Sequence, residues 1–340
     1  MNMEKNRVTV VTVTYGDRWE FLSQVINAVI KDEHLEKLII VDNASSNKDK
    51  IEKSYNNNLE KIIVIRNEKN IGSAGGFNQA LAKARETHCD YVLLLDDDNV
   101  PEDGFVNNFI GTMKFFKNKK VVLLGNRLNL EGNEEFFYHQ TIKDDSPRGT
   151  FFQIFSFSKF LHFFKILTSK NKNNLKRGPF VPIAPTEGFV YGGSFVPIEA
   201  VRKAALPDKE LVLYGDDVEY SWNVKNLGYS TYLCASPYIY DVDRTFVKGS
   251  HIFGLFEKET KPFKVYYRIR NMVKLSVRHS SQSKIVLFIT ITIWILGLYI
   301  LGFFRFGPTL TFFKRVRLIF LAVIAGYSKK TKTPKEAVLP

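Results

Sequence analysis

The sequence has little cysteine: two residues, Cys89 and Cys234, in a chain of 340. That is too few for a disulfide scaffold, and their spacing offers no CxxC pair for structural zinc, so a reducing compartment is the simpler expectation. A secretory leader is not evident either. The opening MNMEKNRVTVVTVTYG holds a short apolar run of strand type rather than the h-region of a signal peptide, which predicts no address for secretion. Acidic residues are scarce at one end only. Residues 248–340 hold three Asp+Glu against 17 Lys+Arg, whereas residues 1–247 hold 32 against 31, so the net charge of +13 belongs to the C-terminal part. What is plentiful is apolar surface. With 45% hydrophobic and 24% charged residues, extended disorder is excluded for most of the chain.

A basic surface favours polyanions, either nucleic acid or an anionic membrane face. The same C-terminal part contains Ile285 to Phe304, twenty residues without a formal charge, bracketed by Lys284 and Arg305. Apolar length with basic flanks predicts lipid and not nucleic acid as the partner. As a helix this stretch is about 30 Å long, enough to cross a bilayer core. Its Thr290, Thr292, Gly297 and Gly302 leave a re-entrant or interfacial helix pair open, since a second apolar run, Leu318 to Ala325, follows Lys314, Arg315 and Arg317. The last eleven or so residues, rich in Lys, Thr and Pro, predict a loose tail.

The first 125 residues alternate between strand and helix signals. Val8–Thr14, Leu38–Val41, Ile62–Ile65 and Tyr91–Leu95 are strand-like, and Trp19–Ile30 and Ala74–Thr87 have helical character. This alternation predicts a mostly parallel sheet covered on both faces, with ligands at the carboxyl ends of its strands. Polar residues cluster at those ends: Tyr15 to Asp17, Asp42 to Ser46, Arg66 to Asn70, and Asp96 to Asn99. Phe151 to Arg177 holds seven phenylalanines and six Lys/Arg with no acid, which suits either a buried aromatic helix with a solvated loop or a basic aromatic membrane surface. Residues 181–247 return to pattern, with a turn at Tyr191-Gly192-Gly193, a helix start near Pro197, and an acidic helix start at Asp216-Asp217-Val218-Glu219.

Three consecutive carboxylates, Asp96-Asp97-Asp98, follow the buried strand. If the strand continues, Asp96 and Asp98 share a face and Asp97 turns elsewhere. Adjacent negative charges repel unless a cation joins them, and a hard divalent ion with oxygen ligands, Mn²⁺ or Mg²⁺, fits. A glycoside hydrolase using paired carboxylates is disfavoured, because that chemistry needs no nucleotide-type layout at strand ends. His34, His88, His139 and His162 show no partner pattern.

In order and separation, VTVTYG, VDNAS, RNEKNIGSAGGFNQAL, LLLDDDN and GDDVEYSW resemble glycosyltransferase family 2, the inverting enzymes of the GT-A fold, over residues 7 to 275. Within that family the triple aspartate, the Asn-x-Gly-x-x-Gly-Gly segment, Asp-Asp-x-Glu-Tyr and the downstream Arg-x-Arg-Asn most resemble bacterial galactofuranosyltransferases, with polysaccharide rhamnosyltransferases as close relatives. The resemblance implies a Rossmann-like α/β domain over residues 1–261 and a basic, apolar helical membrane-association region over 262–340. It implies that Thr14, Tyr15, Asp42, Asn70, Gly72 and Asp97 line the nucleotide sugar, and that Asp96 and Asp98 bind metal. Asp217 becomes the general base that deprotonates the acceptor hydroxyl, with Asp216 and Glu219 orienting the acceptor or the helix start. Tyr191 and Trp222 are candidates to contact acceptor sugars, as is Tyr220. Arg268 and Arg270 are candidates for phosphate. Where the family carries a metal-binding His, this chain has Asp241, with Asp243 or His251 as alternatives.

The expected function is transfer of a sugar, galactofuranose from UDP-galactofuranose first, onto a lipid-linked glycan at the cytoplasmic face of a bacterial membrane. A rhamnosyltransferase using dTDP-rhamnose is the second reading. A membrane-tethered binding or scaffold protein that lost the chemistry is the third.

Overall fold

The computed structural model describes residues 6–56, 58, 60–116, 120–128, 137, 150–151, 155–156, 179–243, 252–279, 283–328 and 332–340. Residues 152–154 and 157–177 of the Phe151–Arg177 segment, His139, His162 and His251 lie outside the described residues.

Four strands, β1 (Val8–Tyr15), β2 (Leu35–Asn43), β3 (Ile62–Asn67) and β4 (Tyr91–Leu94), pair in parallel in the order β3-β2-β1-β4. Between them run α1 (Trp19–Val29), α2 (Lys48–Asn56) and α3 (Gly72–Ala84). The chain continues through β5 (Asn99–Pro101), α4 (Phe105–Met113) and β6 (Val121–Leu128). A two-residue pair, β7 (Thr150–Phe151) with β8 (Phe155–Ser156), stands apart from the main sheet. Then come β9 (Ile183–Thr186), β10 (Ser194–Pro197), α5 (Ile198–Lys203), α6 (Asp216–Lys225) and the long β11 (Ser230–Asp241). These extend the sheet to nine strands in the order β3-β2-β1-β4-β10-β6-β11-β5, with β9 on β11. The second half is mixed: β10 is antiparallel to β4 and β6, and β6 is parallel to β11.

The sheet is buried on both sides, and for that reason β1 reads as a continuous β-branched run. Val8 and Val10 join the cluster under α1 and α4, while Val11 and Val13 join Phe77, Leu81 and Tyr220 on the other face. From β1 the chain first winds outward to β2 and β3 and then returns to β4 on the opposite side. A crevice opens at such a reversal, at the carboxyl ends of β1 and β4.

Three helices close the chain: α7 (Pro262–His279), α8 (Lys284–Phe306) and α9 (Leu310–Tyr327). They form a third apolar cluster around Tyr266, Ile269, Leu287, Trp294, Phe312 and Leu318, to which Val212, Leu213 and Tyr214 of the sheet domain attach. Helix α8 is long and apolar enough to cross a membrane. Its Leu287, Ile291, Trp294, Leu298 and Gly302 form a buried stripe at helical spacing, and Ile285, Phe288, Ile289, Ile300 and Phe304 are exposed. The expected loose tail is docked instead. Lys335–Ala337 forms a helical turn whose Ala337 is fully buried in the third cluster, so a small apolar residue anchors an otherwise polar segment.

Candidate active site

Strand β4 stops at Leu94, and the three aspartates occupy the turn beyond it. The strand argument for their facing therefore does not apply, yet the turn separates them in a similar way. Asp97 is buried, accepting from Thr14 Oγ1 at 2.8 Å and from Arg18 Nε at 2.9 Å. Asp96 and Asp98 stay half-buried. Arg18, just ahead of α1, is a three-way clamp: besides Asp97 it donates to Asp98 and to Asp243, each at 2.8 Å. A second guanidinium, Arg127 near the end of β6, pairs with Asp241 at 2.7 Å. Asn99 donates to both Asp98 and Asp241. Gly192 makes room for this group, because a Cβ there would lie 2.3 Å from Asn99 Oδ1 and 2.6 Å from Arg127 Nη1.

Burial pushes Asp96 up to about 7; Arg127 opposes this, while Asp98, Asp97 and Asp217 add repulsion. Asp97 rises to about 6, chiefly through burial and against the pull of Arg18. The repulsion Asp217 exerts on Asp96 places the start of α6 within electrostatic range of the aspartate turn.

At that helix start the two acids differ. Asp216 is buried, and Ser73 Oγ shares its proton between the two carboxylate oxygens at 3.1 Å. Burial and the adjacent Asp217 push Asp216 up to about 8. Asp217 is half-buried, and its Oδ1 accepts the Val218 N–H at 2.8 Å. Burial raises it too, while backbone N–H groups at the helix start and Arg127 pull the other way.

The loop before α6 is strained, with Val212 at φ 64° and Tyr214 at φ 69°. Asn271 holds it, donating to the carbonyls of Leu211, Leu213 and Tyr214 at 2.7 to 2.8 Å. Arg270 adds bonds to the Glu210 and Leu211 carbonyls. Gly72 closes the loop from the other side: its φ is +79°, and a Cβ would lie 1.9 Å from the Val212 carbonyl oxygen.

Beside this acid cluster lies a cavity of about 330 Å³ lined by Tyr15, Arg18, Asn43, Ala44, Lys261 and Pro340. Tyr15 is 39% exposed at its rim. Asn70 bridges the crevice wall, its Oδ1 accepting from Gly72 N and its Nδ2 donating to the Pro340 carbonyl.

The profile of glycosyl transferase family 2 matches residues 9–178, half of the chain. The protein belongs to glycosyl transferase family 2. Glycosyltransferase MJ1057 of Methanocaldococcus jannaschii, named uncharacterized, is 31% identical over 101 residues, 29% of this family 2 chain and 34% of that protein. The chain thus spans about a third of the curated relative it matches. Two solved structures share the fold. GalNAc-T7, with UDP, GalNAc and Mn²⁺, has a TM-score of 0.52 at 14% identity, covering 81% of this chain and 48% of its own. The mannosyltransferase PcManGT of Pyrobaculum calidifontis, in complex with GDP-Man and Mn²⁺, has a TM-score of 0.51 at 12% identity, covering 97% and 77%.

Asp96, Asp97, Asp98, Asp217 and Asp241 lie within electrostatic range of one another, Tyr15 lines the neighbouring cavity, and Asn70 bonds Pro340 of the same cavity. Other expected residues lie elsewhere. Thr14 is buried and spends its hydroxyl on Asp97. Asp42 is fully buried, accepting from Ser45 N at 2.7 Å and pairing with Arg66 at 3.3 Å, so its neighbour Asn43 lines the cavity instead. Gly72, Gly75 and Gly76 fall inside α3, where close packing on Val212, Ile71 and Val13 needs them. Glu219 turns away from the crevice to bond Arg278 at 3.0 Å and Asp208 N at 3.2 Å. Tyr191 is buried, stacked on Phe77 with 3.7 Å between ring centroids, and Tyr220 is fully buried. Trp222 packs on Ala74, Leu211 and Leu275 and against His279. Arg270 serves the loop rather than a phosphate, and Arg268 stays exposed.

Arg18, Asn43, Asn99, Arg127 and Lys261 are additional site residues. Arg127 had a readable signal, a cation near the carboxyl end of a strand, but β6 lies past the regular alternation. Lys261 had none.

Six carboxylates here, Asp96, Asp97, Asp98, Asp217, Asp241 and Asp243, share two guanidinium groups, an excess that suits a hard cation. Among the described residues no three acid, His or Cys side chains converge closely enough to chelate an ion unaided. Asp98 and Asp241 are engaged by Arg18 and Arg127. Arg18 competes with a cation for Asp98 just as Arg127 does for Asp241, so the residues fit an ion at the aspartate turn only together with ligands from outside the protein.

Proposed function

We propose that the chain is an inverting glycosyltransferase that takes a sugar from a nucleoside diphosphate donor, first UDP-galactofuranose, to a lipid-linked glycan acceptor. The observation that carries this reading is the electrostatic influence of Asp217 on Asp96 of the aspartate turn, together with the cavity at the ends of β1 and β2, which Arg18 links to that turn. A nucleoside entering that cavity meets Tyr15, Asn43 and Lys261, and its diphosphate runs toward Arg18 and the aspartate turn. Mn²⁺ or Mg²⁺ bound at Asp96 and Asp98 would neutralise the diphosphate as it leaves.

Asp217 acts as the base. Half-buried and raised above the ordinary carboxylate range, it takes the proton of an acceptor hydroxyl more readily than a solvated aspartate does. The nearby Arg127 and the helix-start N–H groups favour its ionised form. Asp216, pushed toward its protonated form, contributes by fixing the helix start through Ser73. Direct attack on the anomeric carbon from the Asp217 side inverts that centre.

The exposed apolar face of α8 together with Leu310, Phe313 and Phe320 of α9 supports membrane association. The continuous buried stripe along α8 supports a helix lying in one leaflet, because one face along its whole length belongs to the protein. In this reading residues 262–340 dock the enzyme on the cytoplasmic face of an anionic membrane, where a lipid-linked acceptor resides.

The test is incubation of the full chain with UDP-galactofuranose or dTDP-rhamnose, Mn²⁺ or Mg²⁺, and a lipid-linked acceptor. Release of UDP with acceptor extension is expected. Release of dTDP alone would move the reading to rhamnosyl transfer, and retention of both donors intact would leave a binding protein.

A further inference from the structure

A second cavity, of about 370 Å³, lies at the foot of α9, away from the aspartates, and is lined by Pro262, Thr311, Lys314, Arg315, Arg317 and Glu336 among others. Three of these side chains are cationic and one is acidic. The acid is taken, since Arg317 Nη1 bonds Glu336 Oε1 at 2.9 Å. Arg315 is 6% exposed, an unusual burial for a charge. Its Nη2 donates to the Glu257 and Thr260 carbonyls, while its Nη1 is buried without a hydrogen-bond partner. No hydrogen bond or ion pair engages the exposed Lys314 among the described residues. A buried cation with an unsatisfied donor, beside a second cation and the Thr311 hydroxyl, forms a pocket short of one anion.

The position says what kind of anion. Leu310, 71% exposed, and Phe313, 46% exposed, flank the cavity on the same helix, and Phe304 at the end of α8 is 81% exposed. These belong to the apolar face that we place against lipid, so a ligand entering the cavity from that side brings its polar group at the depth where hydrocarbon meets water. Tetrahedral phosphate oxygens suit a guanidinium and an ammonium converging from two residues.

We propose that this cavity binds the phosphate group of a membrane amphiphile. Two sources share that chemistry, an anionic phospholipid headgroup and the phosphate of a polyprenyl carrier. The cavity also adjoins the donor side of the crevice through the chain: Pro262 lines it and Lys261 lines the nucleoside cavity, while Glu336 and Pro340 border the two in the same way. Occupation of the phosphate cavity is thereby placed next to the segment that walls the donor site.

The inference rests on the membrane placement of α8 and α9, and its experiment separates the two. Full-length protein is floated with vesicles of phosphatidylcholine, of phosphatidylcholine with 30 mol% phosphatidylglycerol, and of phosphatidylcholine with a few mol% polyprenyl phosphate. The variants are Lys314→Ala, Arg315→Gln and, as a control on the same apolar surface, Lys284→Ala. Wild type is expected to bind all three vesicles and to favour at least one of the two anionic kinds, whose phosphate is not neutralised by a choline. A surface lysine contributes roughly fivefold through diffuse attraction, so Lys314→Ala is expected to lose clearly more than that in the favoured vesicle, more than Lys284→Ala, and nothing in phosphatidylcholine. The vesicle in which the loss appears identifies the source. If Arg315→Gln does not fold, Lys314→Ala decides alone. Equal losses for Lys314→Ala and Lys284→Ala, or no preference by wild type, overturn the phosphate site and leave the membrane reading standing. Failure to bind any vesicle overturns both.

Discussion

Two adjacent aspartates at one helix start are held in different states by their surroundings. Asp216 is enclosed by Ser73, Tyr191 and Asp217, whereas Asp217 faces the crevice within the field of Arg127. Asp217→Asn is expected to lower the turnover number by roughly 10² to 10⁴, the usual weight of a general base, with donor binding unchanged in calorimetry. Loss of donor binding together with turnover would instead assign Asp217 to the donor. Asp216 makes a different prediction, about stability. A carboxyl whose folded value is raised holds its proton more tightly folded than unfolded. Its contribution is present at acid pH and is lost as pH climbs from about 4, the unfolded value, to about 8. Asp216→Asn removes that loss, so the variant's melting temperature is expected to match wild type near pH 4, exceed it increasingly up to about pH 8, and hold that excess above it. A constant difference across that range would show that Asp216 does not bury a titrating charge.

At the scale of elements, the loop from Lys209 to Gly215 leads into the helix that bears Asp217 and is stabilised from both sides by parts of the chain distant in sequence. Asn271 on α7 supplies its hydrogen bonds, and Gly72 at the start of α3 supplies the space. Asn271→Ala strips donors from the Leu213 and Tyr214 carbonyls and is expected to cost about 2 to 3 kcal/mol of stability. Its kinetic signature is a lower kcat at nearly unchanged KM for the donor, because the loop presents Asp217 and not the nucleoside. Gly72→Ala meets both a left-handed φ and the Val212 carbonyl, and is expected to cost about 2 kcal/mol or more, read as a melting temperature several degrees lower. A neutral Gly72→Ala would mean that the loop yields more easily than its contacts imply. The Arg-x-Arg-Asn motif is thus explained in part by architecture: Arg270 and Asn271 tie the helical region to the loop that leads into the helix bearing Asp217.

At the scale of the molecule, the part built on the sheet is nearly neutral and the helical region is basic, and Lys261 and Pro340 of the latter line the cavity beside the aspartate turn. Membranes carrying the protein are expected to retain it in high salt and release it with detergent, since the exposed face of α8 and α9 is a hydrocarbon-sized surface and screening does not weaken its burial. Complete release by salt would reduce the attachment to surface charge. Membrane contact through α8 and α9 would also reach the loop held by Asn271, because α7 packs with both helices in the third cluster.

Local physics made much of this legible. Continuous β-branched runs, helical spacing and the aspartates after β4 depend on neighbours in sequence, so the α/β class, the crevice at the strand ends and the acid-rich turn followed from the residues alone. So did the apolar length of α8. The tertiary structure decided what contacts between remote segments decide. It buried Asp42 under Arg66, stacked Tyr191 on Phe77, turned Glu219 to Arg278, and set Arg18 and Arg127 among the acids. It also docked the C-terminal segment through Ala337. Each of these is an ion pair, hydrogen bond or packing contact between residues far apart in sequence. A linear pattern of residue types carries the capacity for such a contact but not the partner.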